Sequence, residues 1–222
     1  MDNNAPVSAG FDILRRFIRT RSEFVERCDM CSLELAERHP HLVEPATRKI
    51  VCACQACALL FSSSADTRYR RVPQDICALP QFQLTDSEWE ALMIPINMAF
   101  FFHNSVSGKT TVMYPSPAGP TESLLELESW NEIVESNPEL KQLEPDTQAL
   151  LVNRVGDRRD YLIVPIDECY KLVGLIRTKW KGLAGGAEVW KAIDEFFTDL
   201  RQRARPAELR RPAVLTEPVA HA

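Results

Sequence analysis

The sequence predicts an α+β protein in which a small N-terminal zinc-knuckle module precedes an antiparallel sheet with flanking helices. Two CxxC pairs predict the module, because four clustered cysteines are typical of a structural zinc site. Apolar, β-prone segments that occur in pairs around turn residues predict the sheet. With 45% hydrophobic and 26% charged residues, the chain has the composition of a globular protein with a buried core.

The module is predicted to contain a helix and a β-hairpin. Apolar residues recur every three or four positions from Phe11 to Val25, which indicates an amphipathic helix. Residues 41–43 and 48–51 have the pattern of two short strands joined by a turn. The polar stretch at residues 62–66 favours a loop, and we therefore predict that the module spans residues 1–73.

Two further hairpins are predicted in a domain over residues 74–203. Their strand pairs are residues 97–103 with 110–114, and residues 149–155 with 161–164. Because hairpins place successive strands side by side, we predict an antiparallel sheet, and we expect its helices on one face.

The helices of this domain are predicted from caps and apolar periodicity. Thr85 begins a capping-box pattern for a short helix that ends at Pro95, and Asp167 is a candidate cap for a later helix. The last helix is predicted to run from about Ala187 to Arg203, after a glycine-rich break. Residues 124–127 fit either a strand or the start of a helix containing Trp130. The proline-containing tail, residues 204–222, is predicted to be disordered.

The cysteine spacing carries the strongest functional signal. Cys28 and Cys31 form one CxxC pair, and Cys54 and Cys57 form a second pair after 22 intervening residues. Two such pairs can bring four thiolates to one Zn²⁺ ion in tetrahedral geometry, at about 2.3 Å from each sulfur. We predict that these four residues bind one structural zinc ion.

Three neighbouring residues are alternative ligands, namely Cys52, His39 and His41. Cys52 and Cys54 would project from the same face of a strand, so the two could exchange roles. The two histidines lie between the cysteine pairs, and we expect them to be solvated surface residues rather than ligands.

The same cysteines also fit iron, either as a rubredoxin-like site or in an iron–sulfur cluster. A redox site needs backbone N–H groups that point at the thiolates, which glycine after each pair usually permits. Ser32 and Ala58 occupy those positions here, and their side chains favour zinc over iron.

No local pattern of an enzyme active site is present. Cys77 and Cys169 are isolated and are predicted to be core residues, and His103 is predicted to be a core or edge residue. A catalytic site that assembles only in three dimensions stays open at this point.

Charge and hydropathy restrict the partners. The net charge is −5, and residues 74–200 carry 20 acidic against 10 basic residues, which argues against nucleic-acid binding. Eight carboxylates between Glu122 and Asp146 are interpreted as a solvated face, or as a docking surface for a basic protein.

No apolar run reaches the roughly 18 residues of a membrane span, and we expect the protein to be cytoplasmic.

Several segments together resemble a bacterial family of unknown function. The genes of that family often lie beside those of high-affinity, actinobacterial-type NiFe hydrogenases. The resemblance covers residues 24–200 approximately and implies an accessory or assembly role, with a hydrogenase subunit or maturation factor as partner. It implies no role for any residue. The segments that carry it are Cys28-Asp-Met-Cys31, Cys52-Ala-Cys54-Gln-Ala-Cys57, Met98-Ala-Phe-Phe-Phe-His103, Tyr114-Pro-Ser-Pro, Thr121-Glu-Ser-Leu-Leu-Glu-Leu and Val164-Pro-Ile-Asp-Glu-Cys-Tyr.

We therefore expect a non-enzymatic, zinc-binding accessory factor that acts by binding another protein. The alternative from another class is a small electron-transfer protein with iron at the same cysteines.

Overall fold

A computed structural model describes residues 25–62, 68–123 and 128–206. The predicted α+β class is confirmed in these ranges, which contain two sheets and flanking helices. The strands are β1 (His41–Glu44), β2 (Lys49–Cys52), β3 (Arg70–Arg71), β4 (Cys77–Ala78), β5 (Met98–Asn104), β6 (Lys109–Ser116), β7 (Gly119–Glu122), β8 (Gln148–Asn153), β9 (Asp160–Pro165) and β10 (Arg205–Pro206). The α-helices are α1 (Gln55–Phe61), α2 (Asp86–Ala91), α3 (Glu128–Ser136), α4 (Ile166–Lys179) and α5 (Ala187–Arg203), and a 3₁₀ helix spans Pro138–Gln142.

The smaller sheet has the strand order β2-β1-β3 and contains the hairpin predicted in the module. Alternate residues of β1 point to opposite faces of the sheet. Leu42 packs with the cysteines, whereas Val43 joins the core of the larger sheet. The helix predicted over residues 11–25 lies outside the described residues except for Val25, which is not helical.

The larger sheet has seven strands in the order β10-β4-β9-β8-β5-β6-β7. Both predicted hairpins are present, as β5 with β6 and β8 with β9. Neighbouring strands are antiparallel except β10, which pairs in parallel with β4. The two-residue strands were not predicted, because so few residues show no periodicity. Arg205 and Pro206 were assigned to the disordered tail but form β10, and the tail beyond them, residues 207–222, lies outside the described residues.

Helices cover both faces of this sheet, so the expectation of helices on one face is wrong. One core contains Phe100 and Leu151 together with residues of α4 and α5. The other contains Phe101 and Leu150 together with the tryptophans Trp89 and Trp130. Residues adjacent along β5 and β8 are buried on opposite faces, as expected for continuous apolar strands between two layers.

The predicted helices are largely confirmed. Thr85 caps α2 with a complete capping box, although this helix ends at Ala91 rather than at Pro95. Helix α5 has the predicted bounds. The prediction for Asp167 is wrong, because Pro165 occupies the N-cap of α4 and Asp167 lies inside its first turn.

Among the described residues, three polar side-chain contacts link the region of the smaller sheet to the larger sheet and its helices. Arg48 pairs with Glu122 at 3.0 Å, and Arg70 pairs with Asp146 at 3.3 Å. The third joins Nδ1 of His41 to Oδ2 of Asp167 at 2.8 Å. The division of the chain at residue 73 stays a prediction. None of the helices in the described ranges has the length and hydropathy needed to cross a membrane.

Candidate metal centre

The four cysteines predicted to bind metal lie together in space. Their sulfur atoms are all within 4.8 Å of one another. The Sγ atoms of Cys31 and Cys54, which belong to different pairs, are 3.8 Å apart. Four sulfurs arranged tetrahedrally at about 2.3 Å from one ion would be separated by roughly 3.8 Å. The cluster therefore has the donor type and the spacing of a four-sulfur metal site.

The first pair lies on a tight turn. The N–H of Cys28 donates to the carbonyl of Leu33, and the N–H of Ser32 donates back to the carbonyl of Cys28, each at 2.8 Å. Ser32 has a φ of 62°, in the left-handed region that usually favours glycine. Serine adopts here the conformation that the sequence argument reserved for glycine. The presence of serine instead of glycine at this position therefore does not favour zinc over iron.

The second pair begins a helix that the sequence analysis missed. Cys54 is the N-cap of α1, and its sulfur accepts a hydrogen bond from the N–H of Cys57 at 3.4 Å. Cysteine is not among the usual N-cap residues, so the pattern gave no helix start signal. Ala58 lies within α1 and does not form a second tight turn.

The electrostatics of the cluster differ from one thiol to the next. Burial opposes ionisation of Cys28, but backbone N–H groups of Cys54, Cys31 and Met30 bond to its sulfur and lower its pKa to about 6. Burial, together with hydrogen bonds from the neighbouring thiols, raises the pKa of Cys57 to about 12. Four thiolates at this separation repel one another, and a bound cation removes that repulsion. The cluster can hold a metal ion.

Cys52, His39 and His41 do not belong to the four-cysteine cluster. They form a second group, in which Cys52 Sγ and one ring nitrogen of each histidine lie within 4.8 Å of one another. The histidine side chains are only 5% and 18% exposed, so the expectation that they are solvated surface residues is wrong. Cys52 ends β2 whereas Cys54 begins α1, and this change of direction separates the two sulfurs.

Asp167 is a polar partner that the sequence analysis did not connect with the cysteine region. Its burial opposes ionisation, but the hydrogen bond from His41 and the nearby Lys171 hold the pKa of its carboxyl below the usual range. His41 and Asp167 are separated by 126 positions in the chain, so no local pattern could have revealed the contact.

The isolated candidates occupy structural positions. Cys169 is fully buried in the core, and burial raises the pKa of its thiol well above the ordinary value, so it stays protonated. Cys77 lies half-buried in β4, and His103 lies half-buried in β5. Cys169 and Cys77 pack with the two cores of the larger sheet, as predicted. β5 lies between β8 and β6, so His103 is not on an edge strand.

The acidic run is only partly a free surface. Glu122 pairs with Arg48, and the 5%-exposed Asp146 pairs with Arg70. Three carboxylates are exposed and make no ion pair within the described part of the chain, namely Glu132, Glu135 and Glu144.

Comparison with known proteins gives one family. A model described as "Family of unknown function (DUF5947)" matches residues 27–204, a range that contains both CxxC pairs and most of both sheets. No curated protein and no solved structure matches the chain.

Proposed function

We propose, on the premise that this chain belongs to the DUF5947 family of unknown function, that it is a non-enzymatic zinc-binding accessory protein. The observation that supports this proposal is the four-cysteine cluster, with all sulfurs within 4.8 Å. Thiolates are soft ligands that suit zinc, and a closed four-sulfur shell has a structural rather than a catalytic role.

The alternative is an iron site for electron transfer. It is favoured by the left-handed Ser32 and by the three backbone N–H groups bonded to the Cys28 sulfur. Hydrogen bonds of this kind tune the potential of iron–sulfur centres. Against it, the second pair lies at the start of α1 rather than on a second tight turn.

Colour and metal content distinguish the two candidates. Protein purified from cells grown with ample iron should be colourless and contain zinc, and Cys57→Ser should lose the ion bound by the four cysteines. Visible absorption that bleaches with dithionite and disappears in Cys57→Ser would indicate that the four cysteines bind iron rather than zinc.

We further propose that the protein acts by binding a NiFe hydrogenase subunit or its maturation machinery. The partner class rests on the resemblance described above. The exposed Glu132, Glu135 and Glu144 supply an acidic surface for a basic partner. Such an association should weaken with salt, because the Debye length falls from about 10 Å at 0.1 M to about 3 Å at 1 M.

An affinity pull-down from the native host, followed by mass spectrometry, tests this interaction. The double variant Glu132→Lys/Glu135→Lys should recover less of the hydrogenase component than wild type does. Asp75→Lys/Asp157→Lys is the matched control, because it changes the net charge equally at exposed positions elsewhere. Recovery of no hydrogenase component by wild type would contradict the proposed partner. Equal loss of that component in both double variants would contradict the acidic docking surface.

A further inference from the structure

The group formed by His39, His41 and Cys52 has the geometry of a second metal site. His41 in β1 is directly opposite Cys52 in β2, and opposite residues of an antiparallel pair have side chains on the same face. Pairing continues beyond the strands, because the N–H of Ala53 donates to the carbonyl of Pro40. This holds the segment of His39 beside the hairpin, and the His39 and His41 rings are in edge contact at 4.8 Å between centroids.

The hydrogen bonds of both rings leave their second nitrogen free to bind a metal. Nδ1 of His39 is 2.8 Å from the carbonyl of Ala36, and a carbonyl only accepts, so this nitrogen carries the proton. Nε2 of His39 is buried and has no hydrogen-bond partner among the described residues. A buried nitrogen without a partner costs free energy, and a metal ion would satisfy it.

His41 is oriented in the same way by a carboxylate. Its Nδ1 donates to Oδ2 of Asp167 at 2.8 Å, which leaves the lone pair on Nε2. A carboxylate that orients a histidine through its second nitrogen is typical of protein zinc sites, where it fixes the tautomer and raises ligand basicity. Asp167 is itself 14% exposed and held in the first turn of α4.

The two histidines and Asp167 line a cleft of about 980 Å³. The cleft lies between the segment before β1 and the helices α4 and α5, and Lys171 and Arg203 are also in its wall. Zinc sites with three protein ligands keep a fourth position for water or another donor, unlike closed four-sulfur sites. A cleft beside two of the three ligands leaves room for such a donor.

We propose that His39, His41 and Cys52 form a second site for a divalent transition metal, with zinc as its first candidate ion. Three ligand atoms at 2.0–2.3 Å from one ion are separated by roughly 3.3–3.8 Å. Cys52 Sγ and one nitrogen of each histidine ring lie within 4.8 Å of one another, so small side-chain shifts would bring the ligands to one ion. Asp167 orients His41, and the fourth position faces the cleft. The site is separate from the four-cysteine cluster and does not depend on which metal that cluster binds.

Metal stoichiometry tests the second site. Metal-free, reduced protein should bind about two equivalents of Zn²⁺, measured by mass spectrometry after gel filtration. His39→Ala, His41→Ala and Cys52→Ala should each bind about one equivalent. The controls His103→Ala and Cys77→Ala remove a histidine or cysteine elsewhere and should keep both ions. One equivalent in wild type, or two in His39→Ala, would overturn the proposal.

A spectroscopic measurement on wild type avoids variants that fail to fold. Protein loaded with ¹¹³Cd²⁺ should give two resonances, one at the position of an all-sulfur site and one at that of a mixed nitrogen–sulfur site. In Cys57→Ser the all-sulfur resonance should disappear while the mixed one remains. This separates failure of the four-cysteine site from failure of the second site. Absence of the mixed resonance in loaded wild type would exclude the histidine ligands.

Discussion

At the scale of single residues, the four clustered cysteines differ from the others in what surrounds the sulfur. Cys31 is exposed, yet its sulfur lies 3.8 Å from that of Cys54 because the turn of the first pair points it at α1. Cys77 has no place in either ligand group. Exposure alone therefore does not identify the ligands; the direction in which the backbone presents each thiol does.

Replacing Cys31 should release the ion of the four-cysteine site. Apparent binding energies of structural zinc in small modules are about 10–16 kcal/mol, and this free energy is part of the free energy of folding. We expect Cys31→Ser to bind one equivalent of zinc less than wild type and to lower the melting temperature of the module, measured by metal analysis and calorimetry. Cys77→Ser is the matched control and should keep the zinc. Binding of as much zinc by Cys31→Ser as by wild type would contradict the assignment of this ligand.

Two glycines should respond to alanine with opposite signs. Gly174 lies in α4 with nothing within 4 Å of an added Cβ, so Gly174→Ala should stabilise the protein by about 0.5–1 kcal/mol. Gly185 has a φ of 84°, and its added Cβ would lie 2.8 Å from Cγ1 of Val189. Gly185→Ala should therefore destabilise the protein. Urea unfolding measures both changes, and a stabilised Gly185→Ala would contradict the turn conformation.

At the scale of elements, the central strands β5 and β8 contribute apolar side chains to the cores on both faces of the larger sheet. Their residues are buried on both faces, and Phe101 stacks on Trp130 with ring centroids 4.8 Å apart. Dispersion and burial act on both sides of these strands, whereas β4 and β10, at one end of the sheet, have only two residues each and little area to bury.

Truncation of a central strand residue should be costly. Leu151 in β8 is completely buried, and Leu151→Ala should reduce the free energy of unfolding by about 2–5 kcal/mol through lost burial and the cavity left behind. Leu183→Ala removes the same atoms from a fully exposed side chain and should change stability by less than about 0.5 kcal/mol. Similar values for the two variants in urea unfolding would show that β8 is not a packed core strand.

At the scale of the whole molecule, the metal-binding region shares a core with the larger sheet. Val43 and Val72 pack with residues of β5, β8, α4 and α5, and three polar contacts cross between the two regions. Leu42, in contrast, belongs to the small cluster around the cysteines. The stability of this small cluster should depend on metal, whereas that of the larger core should not.

Removal of metal by a chelator should therefore act locally. Hydrogen exchange, followed by mass spectrometry, should increase in residues 28–57, because the small cluster loses the ion that joins its two cysteine pairs. Exchange in β5 and β8 should stay slow. Reloading with Zn²⁺ is the control and should restore protection. An equal increase throughout both sheets would indicate that the regions unfold as one cooperative unit.

The sequence by itself determined the elements whose signals are local. Cap chemistry at Thr85 placed α2, apolar β-prone segments around turn residues placed both long hairpins, and CxxC spacing brought four sulfurs together, because each depends on neighbours a few positions apart.

Only the tertiary structure decided which distant residues meet. Helices on both faces of the sheet, the direction of Cys52 away from Cys54, and the contact of His41 with Asp167 depend on the packing of segments far apart in the chain. A continuous apolar strand shows that both faces are buried, but not which helix covers each face. The histidines beside Cys52 look like surface residues in the sequence, but their side chains are only 5% and 18% exposed in the structure, and His41 contacts Asp167 of α4.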